Sequence, residues 1–102
     1  MLRLTWTETA LEDLAWWARP DPQKLKRIIQ LCLGTCENPT QGIGKPEPLC
    51  FDYQGYWSRR IDREHRLIYG FDDRQVTIIQ CRYHDERQGG DSCPVLLPIN
   101  HG

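Results

Sequence analysis

Leu25, Ile28, Ile29, Cys32, Leu33 and Cys36 recur at i, i+3, i+4, i+7, i+8 and i+11. A strand scatters such a set over both of its sides, whereas a helix gathers it into one apolar stripe. The middle of the chain is therefore committed to an amphipathic helix that must lie on something. Asp21 and Pro22 supply its N-cap and first turn. Fraying is expected near Gly34, and Asn38-Pro39 ends the helix. Lys24, Lys26 and Arg27 fall off the stripe and solvate the outer side. A second helical pattern, Leu11, Leu14, Ala15 and Ala18 behind an N-cap at Thr7, predicts a first helix over 8–18. Trp16 and Trp17 pack at its end, and Arg19-Pro20 stops it.

The surface those helices cover has to come from strands. Leu2, Leu4 and Trp6 alternate with polar residues and predict a strand at 2–6. After a turn-rich stretch at 40–46, a strand is expected from 47 through Leu49 and Phe51 to a turn at Tyr53-Gln54-Gly55. Strands follow at 56–62, 65–71 and 75–84, separated by turns at Arg63-Glu64 and Asp72-Asp73. The order β-α-α-β-β-β-β predicts an α+β fold, an antiparallel or mixed curved sheet with two N-terminal helices on one face and the other face partly open. Residues 1–85 read as one domain of a 102-residue chain, and 86–102, rich in glycine and proline without a consistent period, as a flexible tail.

Several function classes receive no support. Lys and Arg number 13 against 14 Asp and Glu, a net charge of -1, so no global basic footprint points to nucleic acid. Five cysteines at 32, 36, 50, 81 and 93 form no C-x-x-C pair, so neither a disulfide framework, a zinc site nor another metal centre is expected, and no cofactor motif occurs. GIGK at 42–45 lacks the spacing of a nucleotide loop, and Ser58 and Ser92 lack G-x-S-x-G. The N-terminus MLRLTWTETA has no apolar core of an export signal, and no run spans a bilayer. The expectation is a cytoplasmic domain that leaves membranes alone.

Strand parity singles out three residues. Arg66, Ile68 and Gly70 share one face and Leu67, Tyr69 and Phe71 the other, which makes the better core side, so Arg66 is expected on the open face. The same parity puts Gln80, Arg82 and His84 opposite Ile79, Cys81 and Tyr83. Glu47 stands between Pro46 and Pro48, which enforce extended backbone around its carboxylate. A carboxylate, a guanidinium and an imidazole on one surface can cleave a phosphodiester by acid–base chemistry with transition-state charge stabilisation. The same three residues also suit a merely solvated or paired surface. Arg59, Arg60, Arg63 and Arg66, interleaved with Asp62 and Glu64, read as a phosphate-binding patch or a salt-bridged sheet surface. Tyr53, Tyr56 and Trp57 suit cross-strand packing or base stacking, and His65 is expected at the surface beside a turn.

Four ordered blocks, GKPEPL (44–49), GYWSRRI (55–61), EHRLIY (64–69) and CRYH (81–84), resemble the YoeB toxins of the RelE superfamily. With the opening strand and NPTQG (38–42), the resemblance covers 1–84. It implies a toxin of a type II toxin–antitoxin system, a metal-independent endoribonuclease that cuts messenger RNA in the A site of the 70S ribosome. It also implies a YefM/Phd-like antitoxin as partner, operator DNA bound only through that antitoxin, and toxin homodimers. On the matching motifs Glu47 would be the general base for the ribose 2′-hydroxyl, Arg66 the stabiliser of the transition-state phosphate and His84 the general acid. Arg60, Lys45 and Arg82 would hold the RNA.

The chain departs from the family in three ways. Asp85 stands where the family carries a tyrosine after the histidine, and Cys50 stands where a lysine commonly follows KPEPL. The overall charge is slightly acidic where members tend to be basic. The alternative to the nuclease is a non-catalytic binding module of the same fold. Such a module is either a gyrase-directed toxin resembling ParE or a decayed toxin that only partners an antitoxin.

Overall fold

The computed structural model describes residues 1–50 and 53–83. Passage of the second strand through Phe51, extension of the last strand to His84 and the tail at 86–102 lie outside those residues. The elements are β1 (Arg3–Trp6), α1 (Glu8–Trp17), α2 (Pro22–Glu37), β2 (Glu47–Pro48), β3 (Trp57–Arg60), β4 (Arg66–Phe71) and β5 (Gln75–Gln80). They form one five-stranded sheet in the order β1-β5-β4-β3-β2. β1 runs parallel to β5 and the other neighbours are antiparallel, so the sheet is mixed.

Both helices start on the expected caps. Thr7 Oγ1 accepts from Ala10 N at 3.1 Å, and Asp21 Oδ1 accepts from Lys24 N at 3.2 Å with Pro22 in the first turn. α2 does not fray at Gly34 but continues to Glu37, and Gly34 O accepts from Asn38 N at 3.0 Å. The glycine is kept helical by packing: a Cβ there would stand 3.5 Å from Ile43 and 3.6 Å from Arg59. β2 is shorter than expected, because Cys50 O already accepts from Tyr53 N and the chain has begun to turn.

The core lies between the helices and one sheet face. Ala10, Trp17, Ile28, Leu31, Cys32 and Cys36 from the helices meet Ile61, Leu67, Tyr69, Val76, Ile78 and Cys81. Trp17 anchors α1 to the end of β5 by donating its indole N–H to Cys81 O at 2.9 Å. The expected parity of β5 is corrected at one residue. Ile68 pairs with Gln80 but Tyr69 pairs with Ile78, which leaves Ile79 as a bulge. The extra residue reverses the alternation, so Val76 and Ile78 enter the core with Cys81, and Ile79 does not. No described helix covers the opposite face, yet Ile68 and Ser58 are fully buried there.

Candidate active site

β3 and β4 pair Arg60 directly with Arg66, and one row further Ser58 pairs with Ile68. β2 adds Glu47 beside Ser58, so a carboxylate and two guanidinium groups share neighbouring rows of one sheet face. Like charges directly opposite one another in an antiparallel ladder are unfavourable. Among the described residues, neither guanidinium is hydrogen-bonded or ion-paired to a compensating group. Burial and the neighbouring Arg60 charge both pull the Arg66 pKa below the ordinary guanidinium value, and the Glu47 carboxylate offsets only part of that. The face therefore stores unbalanced positive charge beside one carboxylate, which suits a bound anion.

Glu47 is held by a device that sequence reading missed. Arg59, grouped by sequence with a surface patch, is fully buried. Its guanidinium donates to the carbonyls of Asn38 at 2.6 Å, Gln41 at 3.0 Å and Ile43 at 3.0 Å, and to Tyr69 Oη at 3.2 Å. Tyr69 Oη in turn donates to Pro39 O at 2.6 Å. α2 has no basic residue in its last turn, and Arg59 reaches in from β3 to supply a cation at that negative helix end. This hub ties down the segment from Asn38 to Ile43 that leads into Lys45 and Glu47. Gly44 completes it: at φ 82° its absent Cβ would lie 2.6 Å from Leu31 Cδ2, and its carbonyl accepts from Arg60 N at 2.7 Å. The signal for Arg59 was in the strand parity, since Trp57, Arg59 and Ile61 alternate and two of the three are apolar.

The remaining expected site residues are dispersed. Lys45 is exposed on the loop before Glu47 with φ 50°. Arg82, expected on the open face, lies on the helical side instead. Its guanidinium sits 4.4 Å over the Trp16 ring, and its Nε is 3.8 Å from Asp13 Oδ1. Ladder alternation ends with β5 at Gln80, and Asp13, buried in α1, draws the next residues towards the helix by accepting from Cys81 N at 3.0 Å. His65, expected at the surface, is half-buried: it packs edge-on against Trp17 with centroids 4.8 Å apart. His84 and Asp85 lie outside the described residues.

The cysteines offer no activated nucleophile in the core. Burial pushes the Cys32 thiol up to about 12 and raises Cys36 and Cys81 as well. Cys32, Cys36 and Cys81 are free thiols. Among the described residues no group of three or more His, Cys, Asp or Glu side chains could hold a metal ion, and no helix is long and apolar enough to cross a membrane.

Comparison with known proteins identifies the family. The family model described as the YoeB-like toxin of bacterial type II toxin–antitoxin systems matches residues 6–85. A Toxin YoeB of Synechocystis is 45% identical over 86 residues, covering 84% of this chain and 100% of the relative. The Escherichia coli K12 Toxin YoeB is 42% identical over 83 residues, covering 81% and 99%. Among solved structures, a YoeB/ParE toxin from Agrobacterium tumefaciens superposes with a TM-score of 0.76 at 40% identity, covering 81% of this chain and 99% of that one. A YoeB–YefM complex from Staphylococcus aureus gives a TM-score of 0.74 at 39% identity, covering 82% and 98%. With the fold, the KPEPL and EHRL blocks and these relatives in agreement, the chain belongs to the YoeB-like toxin family of bacterial type II toxin–antitoxin systems.

Proposed function

We propose that this toxin is a ribosome-dependent messenger RNA endonuclease whose cleavage site is the sheet face bearing Glu47, Arg60 and Arg66. The observation that carries the reading is the direct opposition of Arg60 and Arg66 beside Glu47, an arrangement that is electrostatically unfavourable until an anion such as a phosphodiester joins it. Glu47 takes the proton from the ribose 2′-hydroxyl, and the freed oxygen attacks the adjacent phosphorus. Arg66 stabilises the charge that builds on the phosphorane-like transition state, and Arg60 holds the backbone. His84 gives a proton to the departing 5′ oxygen. The products are a 2′,3′-cyclic phosphate and a 5′-hydroxyl, and no metal takes part. Lys45 adds positive charge at the rim, whereas Arg82, turned towards α1, serves the fold more than the message.

A YefM-like antitoxin neutralises the toxin in the cytoplasm, by analogy with the Staphylococcus aureus relative solved with YefM. The complex touches operator DNA through the antitoxin, and the toxin pairs as a dimer like the YoeB dimer of that organism. Growth arrest on expression tests the enzymatic core of this reading. Glu47→Ala, Arg66→Ala and His84→Ala should each relieve arrest while still capturing antitoxin. Arrest that persists in all three contradicts the nuclease and favours the non-catalytic module.

A further inference from the structure

The open sheet face continues past the row that holds Glu47. Tyr56 precedes β3, and its carbonyl accepts from Leu49 N at 2.9 Å, which carries the pairing one residue beyond β2. Its ring lies across Gly70 of β4, where a Cβ would meet the ring carbons Cδ1 and Cε1 at 3.0 and 3.1 Å. Glycine is what lets the ring lie this low on the sheet, and Tyr56 is still 38% exposed. A cavity of about 280 Å³ opens there, with Tyr56, Gly70, Asp72, Gln75, Thr77 and the bulged Ile79 among its lining residues. Drug-sized ligands take about 300–1,000 Å³, so this cavity suits a single planar ring system. Thr77 Oγ1 is already hydrogen-bonded to Thr5 Oγ1 at 3.0 Å. Asp72 Oδ1 accepts from Arg74 N at 2.8 Å and Gln75 N at 2.9 Å, and these bonds hold its carboxyl below the usual carboxylate range. No lysine or arginine lines the cavity. A carboxylate without a cation turns a phosphate away but accepts the N–H groups of a base edge.

Residues on one face of a strand are two positions, or about 7 Å, apart. Tyr56, Ser58 and Arg60 therefore mark successive rows, with Glu47 beside Ser58 and Arg66 opposite Arg60. The cavity, the carboxylate and the arginine pair follow one another in that order. In a nucleotide whose 2′-hydroxyl attacks, the base, the 2′-oxygen and the 3′-phosphate follow one another in the same order. We infer that the cleft over Gly70 is a nucleobase subsite, in which Tyr56 stacks on the base of the nucleotide that is cut and Asp72 and Gln75 serve its polar edge. The inference rests on the reading of Glu47, Arg60 and Arg66 as the cleavage site, but occupancy of the cleft by a base can be measured without any cleavage. Single-stranded RNA is commonly held in this way, through unstacked bases laid on aromatic side chains.

The test titrates the purified toxin with a single-stranded 2′-deoxy oligonucleotide, which lacks the attacking hydroxyl, and with an abasic strand of equal length and charge. Nuclear magnetic resonance reads the Tyr56 ring, the Thr77 and Ile79 methyl groups and the Arg66 side chain in wild type, Tyr56→Phe and Tyr56→Leu. The base-bearing strand should move all of these signals, and the abasic strand Arg66 alone. Kd for the base-bearing strand should rise about five- to hundredfold in Tyr56→Leu and hold within about twofold in Tyr56→Phe, which keeps the stacking face. Cleft signals that move equally with the abasic strand, or that stay still at millimolar base-bearing strand, overturn the inference. A Tyr56→Leu protein that binds as tightly as wild type overturns it too. Cleft signals that answer instead to dilution of the toxin alone, or to a YefM-like antitoxin alone, assign the cavity to a second copy or to that partner and are equally fatal. Should Tyr56→Leu not fold, the contrast between the two strands on wild type decides. Wild type that passes this test yet leaves ribosomal message intact sinks the nuclease reading alone, whereas wild type that cuts the message but fails here sinks the subsite alone.

Discussion

Replacing Arg59 by methionine tests how the site is held. The substitution keeps an apolar stem but removes the donors that serve Asn38 O, Gln41 O, Ile43 O and Tyr69 Oη. A fully buried carbonyl left without a donor costs about 1–3 kcal/mol, and these part-buried ones fall towards the lower end of that range. Removing a buried cation returns part of that, because the guanidinium no longer has to be held out of water. Disrupting a buried charged network usually nets about 3–5 kcal/mol of destabilisation. In a domain of this size each kcal/mol lowers the melting midpoint by roughly 4–8 °C, so a fall of at least ~12 °C is expected. Arg59→Lys should recover little, because a single ammonium cannot fork to carbonyls spread from Asn38 to Ile43. Urea titration followed by tryptophan fluorescence measures the loss, with Arg60→Met, one position along on the exposed side, as the control expected within about 0.5 kcal/mol. A loss below about 1 kcal/mol for Arg59→Met refutes the hub.

Gly44→Ala should cost about 1–3 kcal/mol by chemical denaturation, because φ is 82° and the new Cβ meets Leu31 at 2.6 Å. Alkaline pH should destabilise the fold. The Cys32 thiol, ordinarily near 9.0, ionises only at about 12 when folded, so the native state retains a proton that the unfolded state has released. From Cys32 alone stability then falls by up to about 1.4 kcal/mol per pH unit between those two values, with Cys36, Cys81 and Tyr69 acting in the same direction. Denaturation midpoints measured across that window check the sign. Below pH 9 the same burial should shield Cys32 and Cys81 from iodoacetamide until urea is added, as read by peptide mass spectrometry. Asp85→Asn removes a carboxylate beside His84 and should raise the rate of message cleavage, as read by primer extension.

Much of the fold was legible because it rests on local chemistry. Thr7 and Asp21 cap the helices as their types and positions demand, and the stripe from Leu25 to Cys36 supplies buried positions at Ile28, Cys32 and Cys36. Even so, Ile29 and Leu33 of that stripe are exposed, because the side of α2 that the sheet covers is narrower than the apolar set. The bulge at Ile79 was hidden, since an unpaired residue in a run such as VTIIQ leaves no mark in composition. Arg82 was misplaced for a related reason: its side is chosen by Asp13 and Trp16, far away in the chain. The Arg66 face followed from strand alternation and the extended backbone at Glu47 from its flanking prolines, whereas the buried Arg59 did not follow, because arginine so seldom enters a core. His65 escaped because a histidine beside a turn gives no hint of the two indoles that enclose it.

The central claim is that the face opposing Arg60 and Arg66 beside Glu47 cuts messenger RNA on the ribosome. Toeprinting of a translating 70S ribosome with purified toxin, wild type beside Glu47→Ala and His84→Ala, tests it most directly. The account predicts discrete A-site cuts by wild type alone, with 2′,3′-cyclic phosphate ends. Intact message with folded wild-type toxin, or equal cutting by the Glu47→Ala protein, contradicts it.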